Sequence, residues 1–262
     1  MTAPKVLVLR VPGINCERET HHAFGLAGGA PEYVHVKKLL QQPELLDQFK
    51  IFMVPGGYAY GDDIASGRVL ANEIGRQMGE RLTNFIDRGG LALGICNGFQ
   101  ALVKLGLLPR IGGGKLKQQV TVCHNLSNHY ECRWVTLKSQ ANRCIFLDDD
   151  MTLRLPAAHA EGYLMTKDAE QQQLLNDEGY VAFSYVDEQG QKTSAYPANP
   201  NGSPSGIAGI TDVTGRVLGM MPHPDRAYLP HNMPNWTSDG LATQGDGMAI
   251  FAAMVKVARA ES

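Results

Sequence analysis

Long hydrophobic runs are missing from this chain. No segment approaches eighteen uninterrupted apolar residues, which argues against a membrane-spanning helix. The apolar start of MTAPKVLVLRVPG is cut at once by Arg10 and Pro12, too short for the core of a signal peptide. Charge of one sign is missing too. With 24 basic and 26 acidic residues the net charge is −2, leaving no electrostatic footprint for nucleic acid and no polybasic membrane patch. Cysteine is scarce and odd in number: Cys16, Cys96, Cys123, Cys132 and Cys144. A chain of 262 residues buries a core without staples, so reduced thiols and a cytoplasmic location are expected. Cys123, His124, His129 and Cys132 fall in a C-H-x4-H-x2-C order that matches no zinc pattern, and no metal is expected. Internal repeats, coiled-coil heptads and low-complexity tracts are absent as well.

What remains is an ordinary globular composition, 44% hydrophobic and 19% charged. Through residue 95, apolar segments at 6–9, 33–36, 51–54 and 91–95 alternate with helical patterns at 16–26 and 69–87. That alternation predicts an α/β fold: a mostly parallel central sheet with helices on both faces and ligands at the carboxyl ends of the strands. From Gly112-Gly113-Gly114 the texture changes. Short alternating segments at 117–122, 131–137, 152–155, 181–186 and 207–210 predict a mixed or antiparallel extension, with one helix near 168–176. A strand at 217–221 and a helix at 247–260 complete the expectation of a single domain over 1–262.

The most informative stretch is Leu93-Gly94-Ile95-Cys96-Asn97-Gly98. A buried strand ends there, and an amphipathic segment with Phe99, Leu102, Val103 and Leu105 begins. Gly-x-Cys-x-Gly at a strand-to-helix turn is the layout of a nucleophile elbow. Small neighbours leave room for a strained backbone, and the helix N-terminus favours thiolate over thiol. Cys16 is the competitor, because it also precedes a helix near a strand end.

A thiol nucleophile needs a base and a group to orient the base. His223 follows an apolar strand between two prolines, with Asp225 two residues on. Extended residues i and i+2 point to the same side, so both can project towards Cys96. His159 and Glu161 in Ala-His-Ala-Glu-Gly form a rival pair of the same spacing.

Cys96 in GICNGFQ, followed 127 positions later by His223-Pro-Asp, resembles the class I, triad-type glutamine amidotransferases. More specifically, the chain is similar to the glutaminase subunit or domain of phosphoribosylformylglycinamidine synthase. RVPGINCE at 10–17, PGGYAYGD at 55–62, NLSNHYECRWV at 125–135, AHAEG at 158–162, NPNGS at 199–203, IAGITD at 207–212 and GMMPHPDR at 219–226 carry the resemblance. It implies glutamine as substrate and hydrolysis through a Cys96 thioester, with His223 as acid–base and Asp225 as its orienter. It implies oxyanion donors in the backbone N–H groups of Gly57 and Asn97. Gln100, Asn125 and Ser127 would hold the amino and carboxylate groups of the substrate.

The family usually reads His-Pro-Glu where this chain reads His-Pro-Asp. The shorter acid calls for a backbone shift or a bridging water, with Glu161 available to compensate. No phosphate-binding G-x-x-x-x-G-K-[ST] loop occurs. The resemblance therefore implies no cofactor on this chain, with ATP and magnesium on a partner synthetase chain and a small bridging subunit between them. The alternatives are another class I amidotransferase or related Cys amidase, or a non-catalytic regulatory module of the same fold. Ammonia release from glutamine, with and without a synthetase, separates them.

Overall fold

The computed structural model describes residues 2–140 and 142–261. In chain order the elements are β1 (Lys5–Arg10), α1 (Glu17–Leu26), β2 (Ala30–His35), α2 (Val36–Gln41), β3 (Ile51–Val54), α3 (Arg68–Asp87), β4 (Leu91–Ile95) and α4 (Asn97–Leu105). There follow β5 (Thr121–His124), β6 (Glu131–Ser139), β7 (Thr152–His159), β8 (Glu161–Met165), α5 (Ala169–Asp177) and β9 (Val181–Val186). The chain continues through β10 (Ile207–Thr211), β11 (Val217–Met220), α6 (Trp236–Asp239) and α7 (Met248–Ala260).

Among the described residues nine strands form one sheet in the order β2-β1-β3-β4-β11-β10-β9-β6-β7, while β5 and β8 pair apart from it. The pairings from β2 to β11 are parallel and those from β11 to β7 are antiparallel. The change of texture near residue 112 is thus a change of strand direction. β3 and β4 are buried at every residue, as parallel strands covered on both faces must be. The order moves outward from β1 to β2 and inward from β3 to β4. Right-handed crossovers then put α1 and α3 on opposite faces.

Two elements differ from the sequence reading. The segment after β2 turns straight into α2, because the side chain of His35 caps it by accepting from the Lys37 N–H. Of the strand expected at 117–122 only its end survives, in β5, whose partner β8 the apolar pattern did not reveal. No helix of the described residues is long and apolar enough to cross a membrane.

At the amino ends of the parallel strands a guanidinium is buried. Arg110 is 2% exposed and donates to Asp87 at 2.6 Å and to Asp212 at 3.3 Å. Asp212, fully buried, also accepts from Thr214 Oγ1 and from the N–H groups of Arg216 and Val217, fixing the β10–β11 turn. Removing one partner of such a group strands the other in a low dielectric. Asp212→Ala is expected to lower stability by about 3–5 kcal/mol, read as a lower urea midpoint at unchanged slope.

Candidate active site

The elbow is built from backbone. Cys96 sits at φ 51°, ψ −108°, a conformation that costs a non-glycine residue on the order of 1–3 kcal/mol. Its N–H donates to Met220 O at 2.8 Å, and its carbonyl accepts from Gln100 N at 3.0 Å, which clamps it between β11 and the first turn of α4. A methyl at Gly98 would overlap the carbonyl oxygen of Val54, so α4 can start this close to β3 only with glycine there. The Cys96 thiol is 7% exposed and lies 3.7 Å from the carbonyl of Ala158.

β11 lies parallel to β4 with Met220 opposite Ile95, and so delivers the segment after it to the elbow. The His223 N–H is fixed to Pro156 O at 2.8 Å. Its Nδ1 stands 3.1 Å from Oδ1 of Asp225, with both residues buried. A 3-10 turn at Pro224–Arg226 brings the carboxylate back to the ring. The shorter acid therefore reaches His223 directly, without the bridging water or compensation by Glu161 that the spacing suggested. Burial alone would penalise the imidazolium. The charges of Asp225 and Cys96 outweigh it and hold the ring well above its ordinary 6.5.

Gly56 is the spacer of the centre. A Cβ there would lie 2.8 Å from His223 Cε1 and 3.4 Å from both Cys16 Sγ and Cys96 Cβ. Gly57, next to it at φ +142°, would drive a Cβ into Ile14 and Asn15. Gly57 pairs with Ile14 in an antiparallel bridge whose bonds, Tyr58 N to Gly13 O and Asn15 N to Gly56 O, flank it. In such a non-hydrogen-bonded pair the residue's own N–H points away from its partner, on the cavity side.

Cys96, Gly57, His223, Gln100, Asp62 and Glu161 line a cavity of about 380 Å³, within the range of small-molecule sites. Tyr58 and Tyr130, half exposed, stand at its wall with their hydroxyls 3.4 Å apart. A larger depression of about 950 Å³ lies at the other end of β3 and β4, around Lys50, Met78 and Gly90. Among the described residues it is lined by no cysteine, serine or threonine, so volume is a poor guide to this site.

Other sequence-derived candidates fare unequally. Gln100 lines the cavity, but its Nε2 donates to the carbonyl of Glu161 and its Oε1 accepts from Asn97. Asn125 and Ser127 do not line it. Asn125 is a buried clamp whose Nδ2 donates to His129 O and His159 O while its Oδ1 accepts from Gly162 N at 2.9 Å. Ser127 donates to Glu131. These bonds tie the β5–β6 connection to the β7–β8 corner, and leave neither side chain for a substrate.

His159 and Glu161 are not a dyad. The ring of His159 is oriented by Asn125, Nδ1 to Oδ1 at 3.1 Å. Because that oxygen already accepts from Gly162, Nδ1 carries the proton and Nε2 is a bare, buried acceptor. Burial, then the charge of His223, pushes the ring down to about 4.

Asp62 and Arg226 at this site were given no role from sequence, and Cys16 only that of a rival nucleophile. The Cys16 thiol donates to Asn15 Oδ1 at 3.2 Å and accepts from Arg226 Nη2 at 3.1 Å. One ligand atom each of Cys16, His223 and Asp225 lie within 4.8 Å of one another. The His223–Asp225 bond and the adjacent guanidinium oppose a cation there. The Cys123–Cys132 segment forms no metal-ligating group among the described residues.

The two histidines shift in opposite senses, which gives a test. Above pH 6.5 His159 is neutral folded or unfolded; below it the unfolded chain takes up the proton first. Stability is therefore lost as pH falls from 6.5 towards about 4, by a limit of about 3 kcal/mol. His223, with its raised pKa, contributes stability that is full below 6.5 and lost as pH rises through its folded value. Denaturant midpoints measured against pH are expected to fall more shallowly between pH 6.5 and 4 in His159→Gln than in the wild type.

Residues 3–257 match the family model of the CobB/CobQ-like glutamine amidotransferase domain. The phosphoribosylformylglycinamidine synthase subunit PurQ of Dehalococcoides mccartyi is 45% identical over 260 residues, 99% of each chain. That of Methanococcus maripaludis is 42% identical over 89% of this chain and 86% of its own. Among solved structures, a chain in PurLQS from Thermotoga maritima superposes with a TM-score of 0.72 at 27% identity, covering 97% of this chain and 99% of that one. With the family model matched over nearly the whole chain and relatives at 42–45% identity, the chain belongs to the glutamine amidotransferases, among the PurQ subunits of phosphoribosylformylglycinamidine synthase.

Proposed function

We propose that this chain hydrolyses glutamine to glutamate and ammonia, and hands the ammonia to a synthetase that converts formylglycinamide ribonucleotide to formylglycinamidine ribonucleotide. The observation that carries this reading is the convergence of the strained Cys96 elbow and the His223–Asp225 pair on Gly56.

In the first half-reaction the Cys96 thiolate attacks the side-chain carboxamide, and the carbonyl electrons move to oxygen. The N–H of Gly57 and that of Asn97, at the start of α4, are placed to receive this oxyanion. One such donor is worth about 10²–10³ in rate. His223, protonated because Asp225 and Cys96 hold its pKa up, gives its proton to the departing nitrogen as the C–N bond breaks. Ammonia leaves and a glutamyl thioester remains. The now neutral ring then takes a proton from water, which attacks the thioester and returns the thiolate. Asp225, bonded to Nδ1, keeps Nε2 as the working nitrogen.

Ammonia set free in water would be protonated and lost, so the reading includes a synthetase partner and a small bridging subunit, as the likeness to the chain in PurLQS supports. ATP and magnesium belong to that partner, since this chain carries no phosphate-binding loop. All five cysteines are unpaired, which supports the reducing cytoplasm as its location.

A diazoketone analogue of glutamine, added to the protein with its synthetase, is expected to alkylate Cys96, as mapped by peptide mass spectrometry. Alkylation of Cys16 in its place would overturn the assignment of the nucleophile. His223→Ala is expected to abolish ammonia release from the assembled enzyme, while His159→Ala retains a measurable rate. Asp225→Asn, which keeps the shape but favours the wrong tautomer, is expected to lose about 10³–10⁴-fold in kcat. Equal losses at both histidines in folded protein would show that the base is wrongly assigned.

A further inference from the structure

Asp62 stands in the cavity with no established task. It closes the turn Ala59–Asp62, in which Tyr60, Gly61 and Asp62 all have positive φ. Its Oδ1 accepts from Asn97 Nδ2 at 2.7 Å and from Gly67 N at 3.1 Å. Asn97 in turn accepts from Ala59 N at 2.9 Å and donates to Gln100. The carboxylate is thus bonded directly to the residue that follows the nucleophile. Glu161 lines the same cavity, and its charge, after burial, adds to the upward push on the Asp62 carboxyl.

The carboxylates of this corner are without a direct cationic partner among the described residues, while Lys104 feels the charge of both from a distance and Arg226 and His223 stand elsewhere in the same cavity wall. Among the described residues neither Asp62 nor Glu161 takes part in an ion pair. The nearby Lys104 is buried, with its Nζ turned to Val122 O at 3.2 Å, and Arg68 is held by Gln118 at 3.0 Å. Two like charges beside a cavity are costly until a cation arrives. The reaction read here brings one: in glutamine, three carbons separate the carboxamide from an α-ammonium that is charged at neutral pH. A carboxylate at this corner would be repelled.

We propose that Asp62, with Glu161 behind it, is the receptor for the substrate's α-ammonium group and so selects an α-amino acid amide over other carboxamides. The proposal rests on the glutaminase reading. It accounts for a charged residue in the wall next to Asn97, where a hydrogen-bonding amide would hold the scaffold equally well.

Asp62→Asn keeps a carbonyl oxygen for Gly67 N and Asn97 Nδ2 and removes only the charge. In the enzyme assembled with its synthetase, ammonia release is measured from glutamine and from glutaramate, which keeps the carboxamide and carboxylate but lacks the amino group. The wild type is expected to favour glutamine strongly. The variant is expected to raise KM for glutamine about 10- to 100-fold with kcat changed far less, and to leave glutaramate unharmed or improved. Glu161→Gln is expected to shift the same ratio by less. Should Asp62→Asn lower kcat for both amides alike, Asp62 acts only by positioning Asn97, and the proposal is wrong. A wild-type assembly that releases no ammonia from glutamine and takes no adduct at Cys96 would instead overturn the glutaminase reading itself.

Discussion

Backbone meets backbone where β3 ends and α4 begins, and the centre is arranged around that contact. Gly98 lies against the carbonyl of Val54 so closely that no side chain fits between them. The approach brings Pro55, Gly56 and Gly57 alongside Cys96 and turns a strand end into the floor of the cavity. Gly56 then makes room for the His223 ring, and Gly57 presents its N–H because the 13–15 segment holds it from behind. Each group near the sulfur is in place through a main-chain contact with rigid strands. This is the kind of support that keeps donors aimed without reorganisation during reaction.

Around this frame the environments of two buried histidines are driven apart. His223 faces a carboxylate and a sulfur and is held charged, whereas His159 faces the amide of Asn125 and is held neutral. Their mutual repulsion reinforces the split, since a second imidazolium nearby would compete for the same counter-charge. Titratable pairs separated in this way define which member moves protons. The neutral ring serves the corner between β7 and β8, whose backbone carbonyls face the thiol and Gln100.

The elbow was legible because glycine spacing and an apolar flank are local signals, and they fix Cys96 without knowledge of the rest. The His223–Asp225 pair was legible for the same reason. That it lands beside Cys96 follows from β11 lying next to β4, a strand order that no local pattern encodes. Asn125 and Ser127 misled because a polar loop residue looks the same whether it meets a substrate or ties two turns together. Asp62 escaped because its direction depends on positive-φ backbone at Tyr60, Gly61 and Asp62, which the bulky Tyr60 gives no reason to expect. The pairing of β5 with β8 was hidden for want of a turn residue between His159 and Glu161.

Neighbouring strands β4 and β11 hold the two halves of the chemistry, yet more than a hundred residues, α4 and β5 to β10 among them, lie between them in the chain. During synthesis the thiol therefore leaves the ribosome long before its proton carrier, and the growing chain holds a nucleophile without a base. Contacts of such high sequence separation form late, after the loop-closure entropy of the excursion has been met. The excursion is not a detached flank: it returns through β7, where Pro156 O holds the His223 N–H and Ala158 O faces the Cys96 thiol, so the strands made between the two halves also fix imidazole relative to sulfur.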